Sequence, residues 1–233
     1  MQFYDICVRE SAGTSPLSVL AKQAAYLGYS GIVAIEQWRG AGSLDSLKKV
    51  AAGIETAELE IFTGAELQPK NASELIEALE KAKPEANMII VSGTDPATNL
   101  AACNDPRVDM LLPNLERPDG GLDYSCYEAA ARNGVAIGIC FRNVLVTFRK
   151  QRANLLVRLA DVVRSAQAAR AQLVLVSGAT SVWEMRDPRE LIGLANILGM
   201  ELPNAFAAMS DNPLHIIERK HDIAKPTQGG INP

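Results

Sequence analysis

Histidine is nearly absent from this chain. Its two copies, His215 and His221, stand six positions apart in the last helical stretch and share no helix face, which argues against a joint metal site. Cysteine occurs four times, as Cys7, Cys103, Cys126 and Cys140, with no CxxC pairing. Neither a zinc site nor a disulfide framework is indicated, and the thiols are expected free and mostly buried in a reducing compartment. Aromatic residues make up 5% of the chain, too few for the stacking platform of a single-strand binder. No apolar run approaches the roughly 20 residues of a membrane span. The opening MQFYDICVRE carries Asp5 inside its apolar run and lacks the cationic lead of a signal peptide. Walker, GxGxxG and GxSxG motifs are missing as well. These absences point away from nucleotide hydrolases, dinucleotide oxidoreductases, serine hydrolases and membrane proteins, and the expected location is the cytoplasm.

What is present is a large supply of core. The 233 residues are 48% hydrophobic and 21% charged, enough for one large domain. Seven β-rich runs stand out: FYDICV (3–8), GIVAIE (31–36), LEIFTGAE (59–66), ANMIIVS (86–92), VDMLLP (108–113), VAIGICF (135–141) and QLVLVS (172–177). Amphipathic helical stretches follow them near 15–27, 43–57, 71–83, 96–103, 123–133, 149–170 and 187–199. Near-continuous apolar strands alternating with helices imply a parallel sheet covered on both faces. Ser15-Pro16 and Asp187-Pro188 each place a capping residue before proline at a helix start, and Gly28, Gly134 and Gly199 fall at helix ends. No eighth strand is visible, and the residues after Gly199 read as helix. The expected fold is a TIM-like (β/α) barrel with seven clear strands and extra C-terminal helices over 1–222, followed by a flexible tail, 223–233. An open doubly wound sheet is the alternative.

Charge is unevenly placed. Arg142, Arg149, Lys150, Arg152, Arg158, Arg164 and Arg170 face one acid, Asp161, so 142–170 carries +6. The whole chain carries −4, which leaves −10 for the rest. A cationic strip on an anionic body suits an anionic partner met at one place, although a solvated helix face is the bland alternative. Within the strip, Leu155, Leu156, Leu159, Val162, Val163 and Ala166 recur at helical period, which turns Arg158 and Arg164 outward. The segment 142–152 then forms the connection after the sixth strand, at the rim where barrels keep their functional groups.

Other candidates are weaker. Ser177-Gly178 after QLVLVS could form a small phosphate nest or an ordinary tight turn. Asp5, Glu36 and Glu66, at or in the first three strands, could together hold a magnesium ion or serve only as soluble strand-end acids. Cys7 and Cys140 lie inside strands, where a packed thiol is the default. No catalytic residue and no metal ligand is assigned to this chain.

One stretch carries a resemblance. Gln151-Arg152-Ala153-Asn154-Leu155-Leu156 is similar to the "RANLL" signature of the barrel-type ribonuclease P protein subunit, the archaeal component 3 family related to the thirty-kilodalton human subunit. Val176-Ser177-Gly178-Ala179 followed by Trp183-Glu184-Met185-Arg186-Asp187-Pro188-Arg189-Glu190-Leu191 resembles the family's "SSGA…W-x-x-R-x-P-x-D-L" block, with Glu190 keeping the charge of the aspartate. Leu198-Gly199-Met200 and Phe3-Tyr4-Asp5 are similar to its "LGM" and "F-x-D". Gly64-Ala65-Glu66 also resembles the "G-x-E" of the polymerase-and-histidinol-phosphatase (PHP) phosphoesterase barrels. Those enzymes carry a His-x-His pair where this chain reads Tyr4-Asp5-Ile6-Cys7, so their metal site does not carry over.

The resemblance implies an RNA-binding subunit of the ribonucleoprotein endoribonuclease that removes the 5′ leader from precursor tRNA. Catalysis would rest with the RNA, which would hold the Mg2+, and no cofactor would be bound by this chain. Implied partners are RNase P RNA, ribonuclease P protein component 2 and other RNase P protein subunits, with precursor tRNA met indirectly. Arg142, Arg149, Lys150, Arg152, Arg186 and Arg189 would contact phosphate or ribose at one rim. An internal ion pair with Asp187 or Glu190 is the alternative for Arg186. The rival activity is a metal-dependent phosphoesterase of the PHP type using Asp5, Glu36 and Glu66. A third reading is a barrel enzyme for a small phosphorylated metabolite held at Ser177-Gly178.

Overall fold

The computed structural model describes residues 1–9, 15–56, 59–115 and 122–224. Strands β1 (Tyr4–Arg9), β2 (Gly31–Gln37), β3 (Glu60–Leu67), β4 (Met88–Ser92), β5 (Met110–Leu112), β6 (Ala136–Cys140) and β7 (Leu173–Val176) pair in chain order, every pair parallel. Between them run α1 (Leu17–Tyr26), α2 (Asp45–Ala52), α3 (Ala72–Ala82), α4 (Pro96–Asn104), α5 (Tyr124–Asn133), α6 (Phe141–Val146) and α7 (Arg149–Ala168). After β7 come a 3₁₀ turn (Val182–Glu184), α8 (Pro188–Ile197), α9 (Leu202–Ala207) and α10 (Asp211–Ala224). This is the nearly closed TIM-like barrel expected, and not an open sheet.

Side-chain alternation builds two packed layers. Val33, Ile35, Ile90, Met110, Leu112, Val174 and Val176 fill the interior, whereas Ile32, Ala34, Ile89, Val91, Leu111, Ile137 and Leu175 meet the helices. The interior is narrow, so two strand positions facing it are glycines. A Cβ at Gly64 would lie 2.7 Å from Ile35, and one at Gly138 would lie 2.7 Å from the Met110 sulfur. A register shift between Asp5 and Val8 turns both Ile6 and Cys7 inward.

The missing eighth strand has a physical substitute. At the N-terminal end of the barrel, Tyr4 N–H donates to the Met209 carbonyl (2.9 Å) and Leu175 N–H to that of Ala208 (3.0 Å). Midway, the Asp5 carboxylate accepts from Ser177 N–H (3.1 Å) and Cys7 N–H (3.3 Å). At the C-terminal end, Arg9 N–H donates to the Ala179 carbonyl (2.8 Å). Short backbone pieces and one side chain thus satisfy the edges of β1 and β7, which would otherwise expose unpaired strand groups. Helix α10 closes the bottom, with Ile216 and Ile217 joining the interior layer and Asn212 Nδ2 donating to the Leu173 carbonyl (2.8 Å).

Helix punctuation follows the sequence with one exception. Asp187 forms a capping box with Glu190 over Pro188, and Gly28, Gly134 and Gly199 take the left-handed conformation at helix ends. Ser15 does not cap α1. Its hydroxyl instead accepts from Val182 N–H (3.3 Å), fastening the start of α1 to the turn after β7. The tail expected from 223 begins inside α10, which runs to Ala224; residues 225–233 lie outside the described residues. No described helix is long and apolar enough to cross a membrane.

Candidate functional site

An ion pair spans β1 and β3 at the C-terminal mouth of the barrel. Arg9, at the end of β1, reaches across to Glu66 on β3 with Nε and Nη2 each 2.9 Å from a carboxylate oxygen. Burial pushes the Glu66 carboxyl up, but the Arg9 fork and the Ser92 hydroxyl outweigh it and hold the carboxyl below its usual range. Asp5 is fully buried, and burial, opposed by its hydrogen bonds and by Arg9, raises its pKa to about 6. One Asp5 oxygen has no partner. Glu36 follows Ile32 and Ala34 on the helix-facing side of β2, whereas Glu66 faces the mouth. The three carboxylates proposed as a magnesium site therefore do not converge, and no other metal-holding cluster occurs among the described residues. Burial pushes the Cys7 and Cys140 thiols up, as expected of packed, unreactive sulfur.

The turn after β7 is filled from within. Gly178 has φ of +64°, and a Cβ there would collide with Cys140 Sγ, so only glycine lets this turn sit against β6. Three N–H groups around this turn already have acceptors. Ser177 N–H faces Asp5, Ala179 N–H the Ser177 hydroxyl (3.0 Å), and Thr180 N–H the Glu184 carboxylate (2.7 Å). Around Ser177-Gly178 the acidic acceptors are thus Asp5 and Glu184, the arrangement of a tight structural turn.

The two connections that carry the six basic candidates meet, as consecutive βα connections on one rim should. Arg142 Nε binds the Glu184 carboxylate at 3.1 and 3.2 Å, and the Arg186 guanidinium lies 5.5 Å from the Phe141 ring centre. The connections after β6 and β7 are thus in direct contact. Their availability differs. Arg152 donates to the carbonyls of Thr147 (2.8 Å) and Leu145 (3.3 Å), tying α6 to α7. Arg186 donates to the carbonyls of Trp183 (2.8 Å) and Met185 (2.7 Å), which replaces the ion pair considered for it. Arg149 and Lys150 are exposed, and neither has an ion pair or hydrogen-bonded side chain among the described residues. Arg189 is 76% exposed, with Asp187 a loose 3.9 Å away.

Arg149 has another distinction, a φ of +49° at a non-glycine position. Helix α7 buries Leu155, Leu159, Val162, Val163 and Ala166 as its spacing predicts. Arg158 does not turn outward with Arg164. It sits beside that stripe and donates to the Leu115 carbonyl (2.6 Å) on the β5 connection. Two aromatic side chains not counted among the candidate contacts, Phe148 and Trp183, are 66% and 85% exposed on the same two connections. Nothing in periodicity separates such residues from core aromatics; only their place between two elements hints at exposure.

The model of the RNase P subunit p30 family matches residues 2–223. Ribonuclease P protein component 3 of Methanosarcina mazei is 35% identical over 94% of this chain and 90% of its own length. That of Methanosarcina acetivorans is 34% identical, with the same coverage. Among solved structures, a chain of an archaeal ribonuclease P bound to mature tRNA superposes with a TM-score of 0.83 at 20% identity, covering 98% of this chain and 97% of that one.

Proposed function

The chain belongs to the RNase P subunit p30 family, and on that premise we propose that it contacts RNA through the rim shared by the β6 and β7 connections. It is a protein subunit of the ribonuclease P ribonucleoprotein and serves tRNA processing. In this reading the subunit supports removal of the 5′ leader while the RNA, with its Mg2+, performs the chemistry. The observation that carries it is the exposed, unpaired Arg149–Lys150 pair at the β6 connection, on a chain whose net charge is −4. Unpaired cations on such a body are free to replace counterions on phosphate. A noncatalytic role is supported by Glu66 being held by Arg9 and by Glu36 facing the other side of its strand. Ribonuclease P protein component 2 is the proposed protein partner, RNase P RNA the proposed nucleic acid, and the cytoplasm the proposed location.

Cleavage of precursor tRNA, reconstituted with and without this chain, tests the reading. Omission should lower the cleavage rate, and with the subunit below saturation Arg149→Ala/Lys150→Ala should lower it in part, most at low salt and less as salt screens the contacts. The isolated chain with Mg2+ and precursor tRNA should leave the substrate intact. Site-specific cleavage abolished by Glu66→Ala would return the phosphoesterase reading.

A further inference from the structure

Trp183 is 85% exposed on a 3₁₀ turn that contributes no buried residue of its own. Val182 packs partly against the core, and hydrogen bonds hold the rest of the turn. Val182 N–H donates to Ser15, the Glu184 carboxylate takes Thr180 N–H and Arg142 Nε, and Arg186 donates to the Trp183 carbonyl. Tyr29 in turn donates its hydroxyl proton to the Arg186 carbonyl (3.0 Å). An indole presented on so fixed a turn has little backbone freedom left to lose on binding.

The neighbouring connection repeats the arrangement. Phe148 is 66% exposed, with the Arg152 guanidinium 5.5 Å from its ring centre and anchored to the carbonyls before it. Phe148 is followed directly by exposed Arg149 and Lys150, and the connection that carries Trp183 leads to exposed Arg189, while Glu184 is held by Arg142 and Asp187 and Glu190 cap α8. A protein interface also enriches tryptophan and arginine, but it depletes lysine, and exposed Lys150 stands two residues from Phe148. Exposed rings on connections that also carry free cations match a ligand that offers flat π faces and anions together, which is an RNA strand with unpaired bases. The low aromatic content of the chain excludes an extended platform, but one or two stacking points need only one or two rings.

We infer that Trp183 stacks on an unpaired base of the bound RNA, with Phe148 as a second stacking face and the adjacent cations holding the backbone. The inference rests on the RNA-contact reading above and specifies what that rim recognises.

The chain has two tryptophans, so a Trp38→Phe background leaves Trp183 as its single indole reporter. Titration with RNase P RNA should quench its emission. Trp183→Ala should bind that RNA about 5- to 150-fold more weakly, the range of one base–aromatic stack. The salt dependence should not change, because no charge is lost. Trp183→Phe should recover most of the affinity and Trp183→Leu should not, with thermal midpoints unchanged in all three. Salt-dependent RNA binding that is the same in wild type and Trp183→Ala, without quenching, would overturn stacking and leave the RNA-contact reading intact. Absence of RNA binding by the wild type would overturn both. Loss of affinity for component 2 with RNA binding unchanged would make Trp183 a protein contact and overturn the inference.

Discussion

Asp5 sits in the seam between β1 and β7 with one oxygen bonded to two N–H groups and the other without a partner. Burial raises its pKa from 3.8 to about 6, so the folded state binds this proton more tightly than the unfolded chain does. Its contribution to stability is therefore fully present below pH 3.8 and lost as pH rises through about 6. Glu66 has the opposite sign. Its carboxyl is held low, so its contribution is present above 4.5 and fades as pH falls through the depressed value. Asp5→Asn keeps an acceptor for Ser177 and Cys7 while removing the titration. Urea unfolding from pH 4 to 7 should show the downward slope with rising pH flattened in the variant relative to wild type, whatever its absolute stability. An unchanged slope would assign the titration to another group.

At the scale of elements, the α6–α7 corner divides its cations between holding and offering. Arg152 bonds two carbonyls at the end of α6, so Arg152→Ala should cost about 1–3 kcal/mol by leaving them without that donor. Arg149 opens α7 in the left-handed region, which costs a non-glycine residue on the order of 1 kcal/mol. Arg149→Gly should therefore be more stable than Arg149→Ala by about that amount in chemical denaturation, although both lose the same guanidinium. Equal stabilities would mean the corner relaxes when the side chain is removed. Most elements here were legible from the sequence because period and punctuation are local. The α7 stripe, the Asp187-Pro188 cap and all seven strands are encoded within a few residues of themselves. The six-residue α6 was not, since 142–148 has neither caps nor length to reveal it. The seam through Ala208 and Met209 was not legible either, because its hydrogen bonds join residues more than thirty positions apart. The site followed the same division. Strand order alone foretold that the β6 and β7 connections meet at one rim, but the carbonyls that Arg152 and Arg186 bind lie within seven residues of them in turns that carry no periodic signal, and Arg9 takes Glu66 across 57 positions.

For the whole molecule, a −10 body bearing a +6 segment raises the question of whether RNA affinity would reflect the general field or specific contacts. The two can be separated by where charge is removed. Arg149→Ala/Lys150→Ala deletes two unpaired rim cations, whereas Lys22→Ala/Lys49→Ala deletes two exposed cations on α1 and α2. Both double variants change the net charge equally. If the rim cations each neutralise one phosphate, the first pair should reduce the slope of log affinity against log salt by about 1.4 to 1.8, the range for two contacts between single- and double-stranded targets. The second pair should shift affinity slightly at low salt and leave the slope close to wild type, because charges beyond a Debye length of about 8 Å at physiological salt are screened. Binding curves at four or five salt concentrations give both slopes. Equal slope changes in the two variants would mean that RNA responds to total charge and would remove the reason for placing the interface at this rim. A loss confined to the first pair would make 149–150 the electrostatic anchor around which the stacking rings and the anchored arginines are arranged.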